Sequence, residues 1–233
     1  MLAKSASRNS RGARDAQKLR SPRKLRAAKE SPHLPMPNVL FDATAQAGVV
    51  TARARKVLAY EGRGAPESEA FQRAFGTLYG IAFTLKFARK FAGGNEFKIG
   101  PLEGRWWAAM EGTDFVKAPR DSWRWRLRIA VPDDVTETEV AATIETAIRK
   151  KGGKLENSPE ARTVVLEHVP AQRFGRALHI GPYGEEGRTF RAMEEALARA
   201  GVKPAFSHIE VYLSDPRRTP PARLKTVLLR ETL

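Results

Sequence analysis

Residues 171–201 read AQRFGRALHIGPYGEEGRTFRAMEEALARAG, and residues 208–229 read HIEVYLSDPRRTPPARLKTVLL. The pattern is a strand over 173–180, a Gly181-Pro182-Tyr183 turn, a helix over 186–200 stopped by Gly201, and further strands over 208–213 and 224–230. Strand alternation puts His208, Glu210 and Tyr212 on one face and Ile209, Val211 and Leu213 on the other. The second set is the expected helix-packing face, which leaves the first facing a groove. A carboxylate at Glu210, inside a strand that otherwise reads as core, needs a reason. If nearby indoles desolvate it, its pKa rises toward the range of a general base; the alternative is a structural pairing with an arginine. The Asp215-Pro216-Arg217-Arg218 run reads first as a turn, with Asp capping and Pro shaping it.

The same pattern recurs upstream. A strand is expected over 56–61 and a long helix over 66–91, with Glu67 and Glu69 near its positive end. Strands are expected over 97–107 and 123–131. Both halves, about 54–132 and 171–233, therefore read strand–helix–strand–strand. A helix over 136–151 and a strand over 163–169 join them. Two such units predict an α+β fold: duplicated modules about a pseudo-twofold, an antiparallel sheet with two long helices, and a central ligand groove.

All four tryptophans fall within 20 residues, at Trp106, Trp107, Trp123 and Trp125. Trp123 and Trp125 share a strand face, and Arg124, Arg126 and Arg128 share the other. Trp106 and Trp107 must point to opposite faces. Indoles at this density either fill core or stack a flat aromatic ligand. The long helix carries two stripes, one of Phe71, Phe75, Leu78, Ala82 and Leu85, the other of Tyr79, Phe83 and Phe87. Tyr79 adds a hydroxyl that wants a partner when buried.

Composition narrows the chemistry. The 233 residues include no cysteine, which excludes a thiol nucleophile and Cys-ligated zinc and favours a cytoplasmic setting. The four histidines lack metal-site spacing, and neither a phosphate loop nor a G-x-S-x-G elbow is present, so no metal or cofactor is expected. No apolar run reaches membrane-spanning length. Of the net +15, residues 1–36 hold ten Lys/Arg against two Asp/Glu, a balance of +8. That segment is too polar to fold and is expected to be a disordered basic tail ahead of a domain at 37–233. Through it alone would nucleic acid be a partner. Oligomeric state is not legible.

These residues resemble the GyrI-like small-molecule-binding superfamily. The marks are His179-Ile180-Gly181-Pro182-Tyr183 and Glu210-Val211-Tyr212. A stand-alone branch is closer still, through Thr84-Leu85-Lys86-Phe87, Pro101-Leu102-Glu103-Gly104-Arg105-Trp106-Trp107, and the run over 212–226. The resemblance covers roughly residues 50–233. It implies a groove for a hydrophobic, often aromatic compound, with the strand Glu at its centre. The branch includes hydrolases that open strained cyclopropanes of DNA-alkylating natural products. By that likeness Glu210 would activate water, assisted by Tyr79. Trp106, Trp107, Trp123, Trp125, Phe83, Tyr183 and Tyr212 would bind the ligand. His208 would be a further ligand contact from the same strand face, against the alternative that a strand-end histidine is commonly solvent-exposed. Other superfamily members are ligand sensors or gyrase-binding inhibitors, so a non-catalytic sequestering module and a topoisomerase-inhibitor role are the alternatives.

A chain shortened to begin at Met36 is expected to keep its melting temperature within a few degrees, because residues 1–35 offer little to a core. Calorimetry checks this, and a large drop would show that the segment docks on the body.

Overall fold

The computed structural model describes residues 38–41, 46–94, 96–109 and 115–233; the basic segment 1–36 lies outside the described residues. Four α-helices and eight strands occur among the described residues. They are α1 (Asn38–Phe41), β1 (Gly48–Ala52), β2 (Arg55–Arg63), α2 (Glu69–Phe91), β3 (Leu102–Trp107), β4 (Arg124–Val131), α3 (Glu137–Arg149), β5 (Val165–Val169), β6 (Gln172–Ile180), α4 (Gly187–Arg199), β7 (Pro204–Tyr212) and β8 (Lys225–Thr232). The strands form one curled antiparallel sheet, a half-barrel, in the order β1-β6-β8-β7-β3-β4-β2-β5.

That order is two-fold. Exchanging β1 with β5, β2 with β6, β3 with β7 and β4 with β8 reverses it onto itself. Each half is strand–helix–strand–strand, as the sequence predicts. Each half also lends its leading strand to the other: β1 pairs with β6, and β5 with β2. The halves join where β3 meets β7, in a register that sets Leu102 opposite Tyr212, Gly104 opposite Glu210, and Trp106 opposite His208.

Local signals explain the helix limits. The Ser68 hydroxyl caps α2 by accepting from the Phe71 N–H at 3.3 Å. Thr136 caps α3 by accepting from the Glu139 N–H at 3.2 Å. The expected strand over 97–107 begins only at Leu102. Strand β1 and the short helix α1 were not expected, since neither carries a long periodic signal.

The helix-packing face differs from the expectation. Helix α2 packs over β2 and β4, and α4 over β6 and β1. Phe71, Leu78, Ile81 and Leu85 of α2 pack with Trp106, Trp125, Leu127 and Ile129. Met193 and Leu197 of α4 pack with Ala177 and Leu228. Leu228 lies directly across from Glu210, so both long helices sit on the Glu210 face. Ile209 and Val211 point the other way, into a cluster with Leu40, Phe174, Leu178, Val227 and Leu229. The physical reason is the curl. The sheet buries apolar residues against its own far strands and α1, so the more apolar face need not be the one beneath the helices.

That second face also carries a buried ion pair. Arg55 donates to Glu103 at 2.5 Å, with the two side chains 6% and 0% exposed. Arg55→Ala would leave Glu103 buried without its partner, which is expected to cost about 3–5 kcal/mol. Urea unfolding measures the loss. Arg55→Met with Glu103→Leu should recover most of it, because an apolar pair needs no compensation.

Candidate small-molecule site

The central strands β3 and β7 lie between α2 and α4, and Glu210 sits there half-buried. Three side chains form a hydrogen-bond relay. The Trp106 indole Nε1–H donates to the Tyr212 hydroxyl at 3.3 Å, and that hydroxyl donates to Glu210 Oε2 at 2.8 Å. Indole N–H is donor-only, so the relay has one direction and ends on a carboxylate acceptor.

Gly104 makes the relay possible. A Cβ at this position would lie 3.0 Å from the Tyr212 hydroxyl and 3.1 Å from Trp106 Nε1. The glycine opposite Glu210 is therefore the space in which the phenol and indole meet.

Tyr183, on the turn before α4, stands edge-on to Tyr212 with ring centroids 6.0 Å apart. Buried His179 pins this turn. Its Nε2 lies 3.1 Å from the Pro182 carbonyl and its Nδ1 2.9 Å from the Thr189 hydroxyl. A carbonyl only accepts, so Nε2 carries a proton. At the end of the turn, Glu186 is 7% exposed, and its Oε1 has no hydrogen-bond partner.

The electrostatics follow from burial. Burial first, then the Glu210 charge, push the Glu186 carboxyl well above the usual carboxylate range. Burial, then Glu210 and Glu186, push the Tyr183 phenol up to about 12. Burial and Glu210 raise Tyr212 well above an ordinary phenol. Tyr79 is raised by burial, against a backbone hydrogen bond at Leu102. The phenols are thus neutral donors at physiological pH. Asp215 is held at about 2 by its hydrogen bonds from Arg217.

The sequence-predicted residues separate into groups. Glu210, Tyr212, Tyr183 and Trp106 come together. Tyr79 lies further along α2, close enough to feel Asp215 and Arg217. Trp106 and Trp125 are 2% and 1% exposed and belong to the core under α2. The Trp125 ring occupies the space over Gly62, where a Cβ would fall 2.3 Å away. Trp123 is half-buried, edge-on to Trp106 at 5.9 Å and with Arg120 over its ring. Trp107 is on the opposite face of β3 from Trp106, with Arg105 over its ring, and the structure does not bring it to Glu210. Phe83 is 45% exposed and continues the Phe75–Tyr79 row outward along α2 to Phe87 and Phe91. His208 falls in β7 opposite Trp106, and its side chain lies outside the described residues. Arg126 and Arg128 pair with Glu61 and Glu167 on the other face, as strand alternation predicts.

Sequence reasoning missed the roles of Glu186, Gly104 and His179. The signal for Glu186 was the second acid of Gly184-Glu185-Glu186-Gly187, which reads as an ordinary helix start. Among the described residues, no three His, Asp or Glu side chains gather as a metal site requires, and no helix is long and apolar enough to cross a membrane.

A small-molecule-binding module is the class that this duplicated fold and its aromatic cluster define. The family model described as GyrI-like small molecule binding domain matches residues 48–229. The chain belongs to that family. It is similar to the crystal structure of an uncharacterized conserved protein from Listeria innocua, at 28% identity and a TM-score of 0.74, covering 84% of this chain and 96% of that one. It is also similar to two Listeria innocua structures described as hydrolases, at 26% and 27% identity with TM-scores of 0.72 and 0.73. Coverage is again 84% of this chain and 96% of each of those. A search of curated proteins found no match.

Gly104→Ala is expected to force the Tyr212 and Trp106 side chains apart, at a cost of about 1–3 kcal/mol. Thermal unfolding gives the cost. Indole fluorescence should shift with it, because Trp106 loses its acceptor.

Proposed function

We propose that this protein binds a hydrophobic aromatic molecule between its two long helices and hydrolyses a strained, cyclopropane-bearing electrophile, with Glu210 as general base. The observation that carries this reading is the relay from Trp106 through Tyr212 to Glu210. It holds a half-buried carboxylate as an acceptor on the face of the sheet that carries both long helices. The description of two similar Listeria structures as hydrolases adds support.

The chemistry needs little else. Water attacks the strained carbon as Glu210 takes its proton. The ring bond breaks, and its electron pair passes into a conjugated carbonyl. Tyr212 fixes Glu210 through one oxygen and, as a neutral phenol, does not compete for the proton. Tyr183 supplies an aromatic edge beside it. Trp123, Tyr79 and Phe83 are the further ring surfaces that we assign to the ligand body. The buried Trp106 and Trp125 support the site from beneath. No cofactor is required by this route. We place the reaction in the cytoplasm, in keeping with the cysteine-free chain, and give the basic segment 1–36 no part in it.

Sequestration without turnover is the second reading, favoured by the family's binding description. Glu210→Gln separates the two. It should retain ligand-induced quenching of tryptophan fluorescence and lose about 10²–10⁴-fold in ring-opening rate. The rate is followed by chromatography on an electrophilic cyclopropane fused to a dienone. Equal rates in parent and variant would remove Glu210 from catalysis, and binding without any turnover in the parent would leave sequestration.

A further inference from the structure

Glu186 is a second carboxyl at this site, and neither the sequence motifs nor the relay gives it a task. It ends the His179-pinned turn, one residue before α4 begins at Gly187. It is more than nine-tenths buried, and its Oε1 has neither partner nor solvent. Its side chain does not cap the helix. Among the described residues, no cation forms a salt bridge with it. An ionised carboxylate in such a place would forfeit its hydration with no cation beside it to compensate, whereas a protonated one avoids that loss.

The groups around it favour the same state. Glu210 on β7 is the charge that acts on it most strongly. Tyr212 on β7 and Tyr183 on its own turn are neutral phenols, and each feels both carboxyl groups. Asp215, in the turn after β7, adds negative charge at Tyr183. Beneath the turn, both ring nitrogens of His179 are engaged by Pro182 and Thr189. Tyr79 on α2 lies farther off, beside Leu102 and Arg217.

We infer that Glu186 and Glu210 work as a pair that holds one proton, with Glu186 as the acid that delivers it to the carbonyl oxygen of the substrate. The inference rests on the ring-opening reading above and adds to it the acid that serves the carbonyl acceptor. The balance closes. A water O–H bond breaks, and its proton goes to Glu210. The water oxygen bonds to the strained carbon, the ring C–C bond breaks, and the electron pair moves through the conjugated system to the carbonyl oxygen. That oxygen takes the Glu186 proton and becomes a hydroxyl. The proton on Glu210 then returns to Glu186, and the pair is reset with no other reactant. Two carboxyl groups that share one proton provide an acid and a base in one site.

Two measurements on the full chain test this. Infrared difference spectra at neutral pH should show the carbonyl stretch of a protonated carboxyl, absent from Glu186→Gln. Its absence from the parent would overturn the inference. Ring opening of a spirocyclopropyl cyclohexadienone should fall about 10²–10⁴-fold in Glu186→Gln with the dissociation constant nearly unchanged. The alkaline fall of the parent rate, where Glu186 loses its proton, should vanish in the variant. A parental rate in Glu186→Gln, with Glu210→Gln inactive, would overturn the acid role and leave the base role standing. If the parent opens no ring but the infrared band is present, the hydrolytic reading and the acid role both fall, and the shared proton survives as a hydrogen-bond donor to a bound carbonyl.

Discussion

The antiparallel seam between β3 and β7 is the constraint on which the rest of the site depends. It joins the two halves of the molecule, and its register places Gly104 against Glu210. One half contributes a carboxylate, and the other contributes the vacant volume beside it. The Tyr212 ring and the Trp106 indole use that volume to meet. A slip of one residue would turn Glu210 into the apolar cluster of Leu40, Phe174 and Val227, at the cost of its hydration. Register here is therefore enforced by the penalty for burying charge as well as by the ladder's own hydrogen bonds.

Three buried or half-buried glutamates show how one side chain is used in three ways. Glu103 and Glu210 are near neighbours across the seam but on opposite faces. Glu103 is fully buried and neutralised by Arg55, so its charge is a structural matter. Glu210 accepts from the neutral Tyr212 phenol, which orients it. Glu186 has no cation and no cap to satisfy, and burial drives it toward the protonated form. Burial raises the proton affinity of this carboxyl in the folded state over that in the unfolded chain. The Glu186 contribution to stability therefore falls as pH rises from the ordinary carboxylate range upward. A stability cost of this kind is commonly found where a group is kept for function.

The architecture was largely legible in the chain because it rests on local periodicity. Both strand–helix–strand–strand halves, the alternation of Arg126 and Arg128 against Trp125, and the importance of the Glu210 strand follow from spacing alone. The site was less legible. Trp106 and Trp125 read equally well as ligand walls or as core, and packing against α2 made them core. Trp107 and Trp106 are adjacent in the chain and separated by the thickness of the sheet. Alternation marks Ile209 and Val211 as more apolar than Glu210 and Tyr212, but it carries no information on which side the helices lie. The curl of the sheet supplied a second interior, and the expected packing face turned toward it.

The amino-acid order by itself determined the repeated modules and the presence of an isolated carboxylate in a core strand. These depend on neighbours a few residues apart, and such neighbours are set by backbone geometry. Only the tertiary structure decided which groups meet Glu210. Trp106 lies 106 residues from Tyr212 in the chain. Gly104 has no side chain to announce its role, and Glu186 looks like any helix-start acid until the turn that carries it is pinned through His179. Those contacts arise from strand register and from the seating of α2 and α4 over a curled sheet, which the whole hydrophobic core settles at once.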